Sequence, residues 1–247
     1  MTRLDQELVE RGICESREKA KRAIMAGQAL VNGHPARKPS DAVRPVDHLT
    51  LATPDKYVSR GGHKLEHALQ YFQLDVTGLT AIDLGASTGG FTDCLLQAGV
   101  RHVFAVDVGH GQLAWKLRHD RRVTVMEKTN ARQLTPDLFP APFSPADLVV
   151  IDCSFISLRK ILPPAVALLR TSGRIVALIK PQFEAGRAEA DQGSGVITDP
   201  AIHERVLHEL QAFVTNETGL SWRAATASPL LGPAGNKEFL ALIEKKN

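Results

Sequence analysis

Cysteine is scarce in this 247-residue chain, with three in all. Cys14, Cys94 and Cys153 lie far apart and are odd in number, which excludes a disulfide framework and offers no zinc-ligand spacing. No apolar run approaches the roughly 18 residues that a membrane span needs, and the opening Met1-Thr2-Arg3-Leu4-Asp5-Gln6-Glu7 lacks the apolar centre of a signal peptide. Internal repeats and low-complexity tracts are missing too. Charge of one sign is not in excess: 30 Lys+Arg face 27 Asp+Glu, and a net charge of +3 is too small to indicate a nucleic-acid partner by itself. What remains is 43% hydrophobic and 23% charged, the balance of a globular chain long enough to bury its own core. The expectation is a soluble, reduced, cytoplasmic protein of one large domain, or one medium and one small.

The charge is unevenly placed. Residues 1–64 carry 12 Lys+Arg and 8 Asp+Glu, a net of +4, whereas residues 65–247 carry 18 and 19, a net of −1. The run Arg17-Glu18-Lys19-Ala20-Lys21-Arg22 sets cations along one helical flank, and Lys56, Arg60 and Lys64 follow without an intervening acid. Such faces attract phosphates through counterion release. The alternative is a solvated helix surface.

The first 50 residues read as two short helices and a small hairpin. Leu4, Leu8 and Val9 keep helical spacing up to Gly12; Ser16 is a candidate N-cap for a second helix through Ala20, Ala23 and Ile24 that ends at Gly27. Ala29-Leu30-Val31 runs into Asn32-Gly33, a strong hairpin signal. A stretch punctuated by Pro35, Pro39, Pro45 and Pro54 follows, with Leu49-Thr50-Leu51 as a last strand. The ordered set Arg3-Leu4-Asp5, Leu8, Arg11-Gly12, Ser16-Arg17, Ala20, Ile24, Gly27 and Val31-Asn32-Gly33 resembles the alpha-L RNA-binding motif of a small-subunit ribosomal protein and many pseudouridine synthases. The resemblance implies that the second helix and its flanks face RNA. Arg3, Arg11, Arg17, Lys21 and Arg22, with Arg60 at the junction, are then the candidate RNA contacts.

From about residue 79 the texture alternates between strand and helix. Predicted strands are 81–84, 103–108, 123–127, 148–152, 174–179, 223–228 and 239–243; predicted helices are 90–98, 112–118, 158–169 and 199–214. Apolar strands separated by helices indicate an α/β fold with a mostly parallel sheet covered on both faces, and the last two strands an antiparallel hairpin at its edge. Residues 184–195 read as a mobile loop. The expected domains are 1–55 and 63–247, with 56–62 as linker.

Within the second part, Ile82-Asp83-Leu84-Gly85-Ala86-Ser87-Thr88-Gly89-Gly90-Phe91 places a glycine-rich turn between strand and helix. Gly85 permits a sharp turn, and Gly89 and Gly90 would admit a ligand close to the backbone. Asp107 closes the next strand, where a carboxylate can accept bonds from two ribose hydroxyls. A dinucleotide fingerprint needs Gly-x-Gly-x-x-Gly, and here the spacing is Gly-x-x-x-Gly-Gly. That variant resembles the S-adenosylmethionine site of class I methyltransferases, implying a Rossmann-like, seven-stranded fold. Asp83, Gly85, Ala86, Ser87, Thr88, Gly89, Gly90, Phe91, Asp107, Asn130 and Asp152 are then the cofactor candidates. Asn130 would read the adenine, or else cap a helix.

Lys64, Asp152, Lys180 and Glu238 complete the reading, Asp152 and Lys180 at the carboxyl ends of adjacent strands where open α/β sheets hold ligands. They resemble the Lys-Asp-Lys-Glu set of FtsJ-type ribose 2′-O-methyltransferases. The resemblance implies Lys180 as base, Asp152 orienting it, and Lys64 and Glu238 positioning the hydroxyl. A ribose hydroxyl is a poor nucleophile near neutral pH, and an amine of lowered pKa can take its proton.

With Lys56-Tyr57-Val58-Ser59-Arg60-Gly61-Gly62-His63-Lys64-Leu65, Gly111-Gln112-Leu113-Ala114-Trp115, Thr129-Asn130-Ala131-Arg132 and Lys180-Pro181-Gln182-Phe183-Glu184, the chain resembles the TlyA family over residues 1–245. The family, also known as hemolysin A, implies methylation of cytidine ribose in bacterial rRNA within ribosomal subunits. The chain matches its shorter type, which implies the large-subunit 23S rRNA. No membrane partner is expected, and the sequence leaves the oligomeric state open between monomer and weak dimer. Three rivals stand beside this: a cytosine carbon-5 methyltransferase with Cys153 as nucleophile, a membrane-active hemolysin, and an RNA chaperone with a relic cofactor fold. Against the first, Asp152 and not Pro precedes Cys153.

Overall fold

A computed structural model describes residues 1–52, 55–186, 189, 193 and 195–246. Pro54 and part of the loop expected over 184–195 lie outside the described residues. The chain divides into two units, Met1–Lys56 and Tyr57–Asn247.

In the first unit, β1 (Thr2–Arg3) leads into α1 (Leu4–Glu10) and α2 (Arg17–Met25). The strands β2 (Ala29–Val31), β3 (His34–Pro35), β4 (Ala42–Val43) and β5 (Leu49–Leu51) follow. Ser16 caps α2 by accepting from the Lys19 amide, as its hydroxyl and position predict. Asn32 and Gly33 both have positive φ, +53° and +82°, the turn that joins two antiparallel strands without splaying them. The sheet order is β3-β2-β5, and β1 pairs with β4 in a separate two-residue ribbon too short to show as a sequence period. Leu4, Leu8, Ala20, Ile24, Val43 and Leu49 form its core.

The second unit is built on β6 (Thr80–Leu84), β7 (His102–Val106), β8 (Val123–Met126), β9 (Ala146–Ile151), β10 (Leu169–Ile179), β11 (Leu220–Ala227) and β12 (Phe239–Lys245). Their order is β11-β12-β10-β9-β6-β7-β8. The five strands β10, β9, β6, β7 and β8 are parallel, and β12 runs antiparallel to both β10 and β11. Along β9, Val149 and Ile151 enter one core layer and Leu148 and Val150 the other, the two-residue period of a strand buried on both faces. The helices are α3 (Gly61–Tyr71), α4 (Gly90–Gln97), α5 (Trp115–Arg118), α6 (Leu162–Leu168), α7 (Pro181–Glu184) and α8 (Pro200–Glu217). The chain proceeds from β6 outward to β7 and β8, then returns to β9 on the other side. That reversal opens a crevice at the carboxyl ends of β6 and β9, where Asp152 N bonds Leu84 O at 2.9 Å.

Three expectations change. Of residues 56–62, those from Tyr57 onward belong to the second unit: the Tyr57 ring is buried, Val58 N donates to Asp93 at 2.9 Å, and α3 starts at Gly61. An aromatic and a branched apolar residue have packing to gain that a solvated tether would forgo. α3 itself was hidden by its Gly61-Gly62 start and basic run, although Leu65, Ala68 and Leu69 bury one face. The helices predicted over 112–118 and 158–169 are shorter, the latter split into a 3₁₀ turn and α6, whose first turn carries Pro163 and Pro164 in place of amide donors.

Candidate active site and RNA-binding face

After β6 the chain turns at Gly85 (φ +88°), where an added Cβ would lie 2.8 Å from the Asp152 carbonyl oxygen. At Gly90 the Cβ would meet Ser59 Oγ at 2.3 Å and Gly62 N at 2.9 Å. On the Cβ side both glycines admit protein: Gly89 packs under Leu113 and Leu117, and Gly90 lets α4 start against α3, while Gly90 also borders an open hollow.

Asp107 stands across the turn. Its Oδ2 accepts from Ser87 N at 2.8 Å and its Oδ1 from Gly109 N at 2.7 Å, leaving a second lone pair on each oxygen. It borders a cavity of about 560 Å³ shared by Gly85, Ser87, Val108, Asn130, Asp152 and Phe155. The loop after Asp107 is fixed by Glu127, which accepts from Gly111 N at 2.8 Å and His110 Nδ1 at 2.7 Å and pairs with Arg118. The Arg118 guanidinium, foremost among these partners, holds the Glu127 carboxyl at about 2. Of the two roles the sequence allowed, Asn130 takes the cap, its side chain accepting from Arg132 N at 3.0 Å on a 3₁₀ turn, and the residue also lines the cavity.

Asp83 does not reach the cavity. It is fully buried, its Oδ2 accepts from the Thr92 hydroxyl at 2.6 Å, and burial pushes its carboxyl up to about 7. Its contact ties β6 to the first turn of α4. Of the cofactor candidates, only Asp83 and Gly89 line neither this cavity nor the hollow beside it.

That second hollow, about 370 Å³, is bordered by Lys64, Asp152, Lys180 and Glu238, which lie far apart in sequence. Lys180 Nζ is 2.6 Å from Asp152 Oδ1 and donates to Ser154 Oγ at 2.9 Å. Lys64 Nζ donates to Glu238 Oε2 at 2.5 Å, with 7% and 1% of the two side chains exposed. Asp152 and Gly85 border both spaces, so the cavity of Asp107 and the hollow of Lys180 adjoin. Arg60 opens onto the same hollow while donating to Leu231 O at 2.7 Å.

Three contributors were not among the candidate site residues. Ser154 is a partner of Lys180. Phe155 holds φ at +61° with 90% of its surface exposed, beside the Phe183 ring at 5.2 Å. Glu184 accepts from Ser157 Oγ at 2.6 Å and Leu158 N at 2.7 Å, which pins the segment carrying both. Burial raises the Glu184 carboxyl against these two bonds. Cys153 is half-buried at the wall of the Asp107 cavity, its Sγ donating to Leu84 O at 3.4 Å; burial, then the Asp152 charge, pushes its thiol up to about 12. That direction disfavours the thiolate that carbon-5 chemistry requires.

In the first unit the candidate cations separate into two kinds. Arg3 and Arg17 both bind the buried Asp5, at 3.0 and 2.9 Å. Arg11 bonds Glu7 at 2.8 Å and the carbonyls of Arg44, Pro45 and Asp47. These three hold the unit together, whereas Lys21 and Arg22 are exposed and, among the described residues, carry no ion pair.

An FtsJ-like methyltransferase model matches residues 57–245 and an S4 domain model residues 2–49. The Mycobacterium tuberculosis protein named 16S/23S rRNA (cytidine-2′-O)-methyltransferase TlyA is 47% identical over 96% of this chain and 87% of its own length. The chain belongs to the TlyA family. A further TlyA-family relative, Hemolysin A of Brachyspira hyodysenteriae, is 40% identical over 97% of this chain and 98% of its own. A solved structure described as "Putative hemolysin from Streptococcus thermophilus" superposes with a TM-score of 0.76 at 45% identity, covering 100% of this chain and 89% of that one. The cofactor of this TlyA-family methyltransferase is S-adenosylmethionine. The residues present fit it: the Asp107 carboxylate offers two free acceptor positions to a ribose diol, in a cavity of the size that holds small ligands.

Proposed function

We propose that this chain transfers the methyl group of S-adenosylmethionine to the ribose 2′-oxygen of a cytidine in ribosomal RNA, with 23S rRNA in the large subunit as the expected target. The observation that carries the reading is the Lys180–Asp152 pair at the border between the cavity of Asp107 and the hollow of Lys64 and Glu238. The name of the 47%-identical relative, which includes 16S/23S rRNA and cytidine-2′-O, supports rRNA cytidine ribose as the substrate class.

S-adenosylmethionine supplies a methyl group on a cationic sulfur that departs as a neutral thioether. Asp107 would hold the ribose end, and the Asn130 face the adenine. Lys180 Nζ, fixed by Asp152 and Ser154, would accept the 2′-hydroxyl proton as that oxygen attacks the methyl group that the bound cofactor would supply. Lys64 and Glu238 hold the hydroxyl in line, and Arg60 contacts the adjoining phosphate. Lys21 and Arg22 bind RNA outside the reacting nucleotide. The reading places the protein in the cytoplasm with ribosomes. A membrane-active role has no support from the helices: among the described residues none is long and apolar enough to cross a membrane.

The test is transfer of labelled methyl to purified large and small subunits, followed by alkaline hydrolysis of the RNA. A ribose methyl blocks cleavage at the adjacent phosphate, so the label is expected in an alkali-resistant dinucleotide from 23S rRNA. Lys180→Ala is expected to lower turnover by about 10²–10⁴ while cofactor affinity changes by less than about threefold. An alkali-sensitive product, abolished by Cys153→Ser, would reverse the assignment in favour of carbon-5 methylation.

A further inference from the structure

Beyond the hollow of the four polar residues, the structure holds a third space, about 370 Å³, that no step above uses. Phe155, Lys180, Gln182, Phe183, Pro233 and Glu238 border it. It shares Lys180 and Glu238 with the reacting side and is otherwise mostly apolar, with the Phe155 and Phe183 rings 5.2 Å apart at 45°. Gln182 lies on α7, two residues past Lys180, so one short helix carries this amide directly after the amine of the reaction. The Gln182 Oε1 is shielded from solvent and, among the described residues, accepts no hydrogen bond. A buried amide oxygen without a donor is costly, and rotation about the terminal torsion turns it towards this space, where an occupant that brings an N–H relieves that cost.

The occupant follows from connectivity. A ribose whose 2′-oxygen faces Lys180 carries its base one glycosidic bond away, and a planar base has flat apolar faces with a polar edge. Aromatic walls suit the faces. The amide suits the edge of cytosine, which presents a 4-amino donor beside the N3 acceptor, the complement of a carbonyl beside an NH₂. Rotation about the terminal glutamine torsion, which is broad, aligns the pair.

We infer that Gln182 hydrogen-bonds the Watson–Crick edge of the base whose ribose is methylated, accepting from the 4-amino group of cytosine. This rests on the cytidine 2′-O reading. The test is a two-by-two comparison, once the methylated nucleotide has been mapped with the wild-type protein. The RNA carries either cytidine or the pyrimidin-2-one ribonucleoside, which lacks only the 4-amino group, at that position; the protein is wild type or Gln182→Leu. Removing the amine is expected to lower wild-type kcat/KM by about 10-fold, and Gln182→Leu to lower it similarly on cytidine. Removing both is expected to cost no more than about twofold beyond Gln182→Leu alone, because the variant has already lost every bond that the amide makes. Gln182→Met, which preserves length, repeats the comparison if the leucine variant melts early. S-adenosylhomocysteine affinity is expected to stay at the wild-type value in both. Losses that multiply to about 100-fold, or a wild-type protein indifferent to the amine, overturn the inference while 2′-O-methylcytidine still forms. Absence of 2′-O-methylcytidine from wild-type reactions overturns the functional reading itself, and the inference with it.

Discussion

Replacing Asp107 isolates the cofactor end of the site. Its two oxygens each hold one backbone amide, Ser87 N at 2.8 Å and Gly109 N at 2.7 Å, and each has one acceptor position left for a ribose hydroxyl. Hydrogen bonds to a charged group contribute about 1.5–3 kcal/mol each, and water replaces part of what Asp107→Ala removes. The net loss is about 2–3 kcal/mol, or roughly 30- to 150-fold in affinity. Asp107→Asn is expected to be no milder, although it nearly preserves shape. An asparagine must point its NH₂ at either the Ser87 or the Gly109 amide, donor against donor, and leaves only one oxygen for the diol. Calorimetric titration of S-adenosylhomocysteine into the three proteins measures this. The same titration with a 3′-deoxy analogue should narrow the gap between wild type and variants, since one of the bonds is already gone. An Asp107→Ala protein that melts like the wild type and binds within about twofold of it would refute the assignment of the ribose to Asp107.

Three further outcomes follow from the same geometry. Lys64→Met leaves the Glu238 carboxylate buried without its cation and is expected to cost about 3–5 kcal/mol, whereas Lys64→Met with Glu238→Leu should recover much of that stability but no turnover; an unchanged melting temperature in the single variant would contradict the pair's role. The Arg3 guanidinium, and after it Arg17, holds the Asp5 carboxyl at about 2 against an ordinary 3.8. Because the folded value is the lower one, this stability is complete above about pH 4 and fades as pH falls towards 2. It amounts to about 1–2 kcal/mol once the half-exposed arginines are discounted, and Asp5→Asn should abolish that pH dependence in urea melts. Charge reversal at Lys21 and Arg22 should weaken subunit binding and lower the salt slope by about one for each phosphate no longer neutralised, with melting unchanged; the same reversal at Arg17 should also unfold the first unit.

The division of labour between sequence and tertiary structure is visible in particular residues. The amino acids alone determine what depends on neighbours along the chain. The Ser16 cap, the Asn32-Gly33 turn, the seven strands of the large sheet and the glycine turn between β6 and α4 are all local patterns of periodicity, capping and backbone freedom. Asp107, placed at the end of the strand after that turn, was legible for the same reason. Which side chains are spent on structure and which are left for ligands was not, because that depends on what folding brings alongside them. Arg17 and Lys21 look alike in the sequence, yet one is bound to a buried aspartate and the other faces solvent. Asp83 sits in the motif beside the cofactor turn but is sealed behind Thr92, since alternate residues of a strand face opposite layers. Lys64 and Glu238 meet across 174 residues, and the orphaned oxygen of Gln182 exists only once the walls around it are assembled. Burial and pairing are properties of the packed chain, and no reading of spacing contains them.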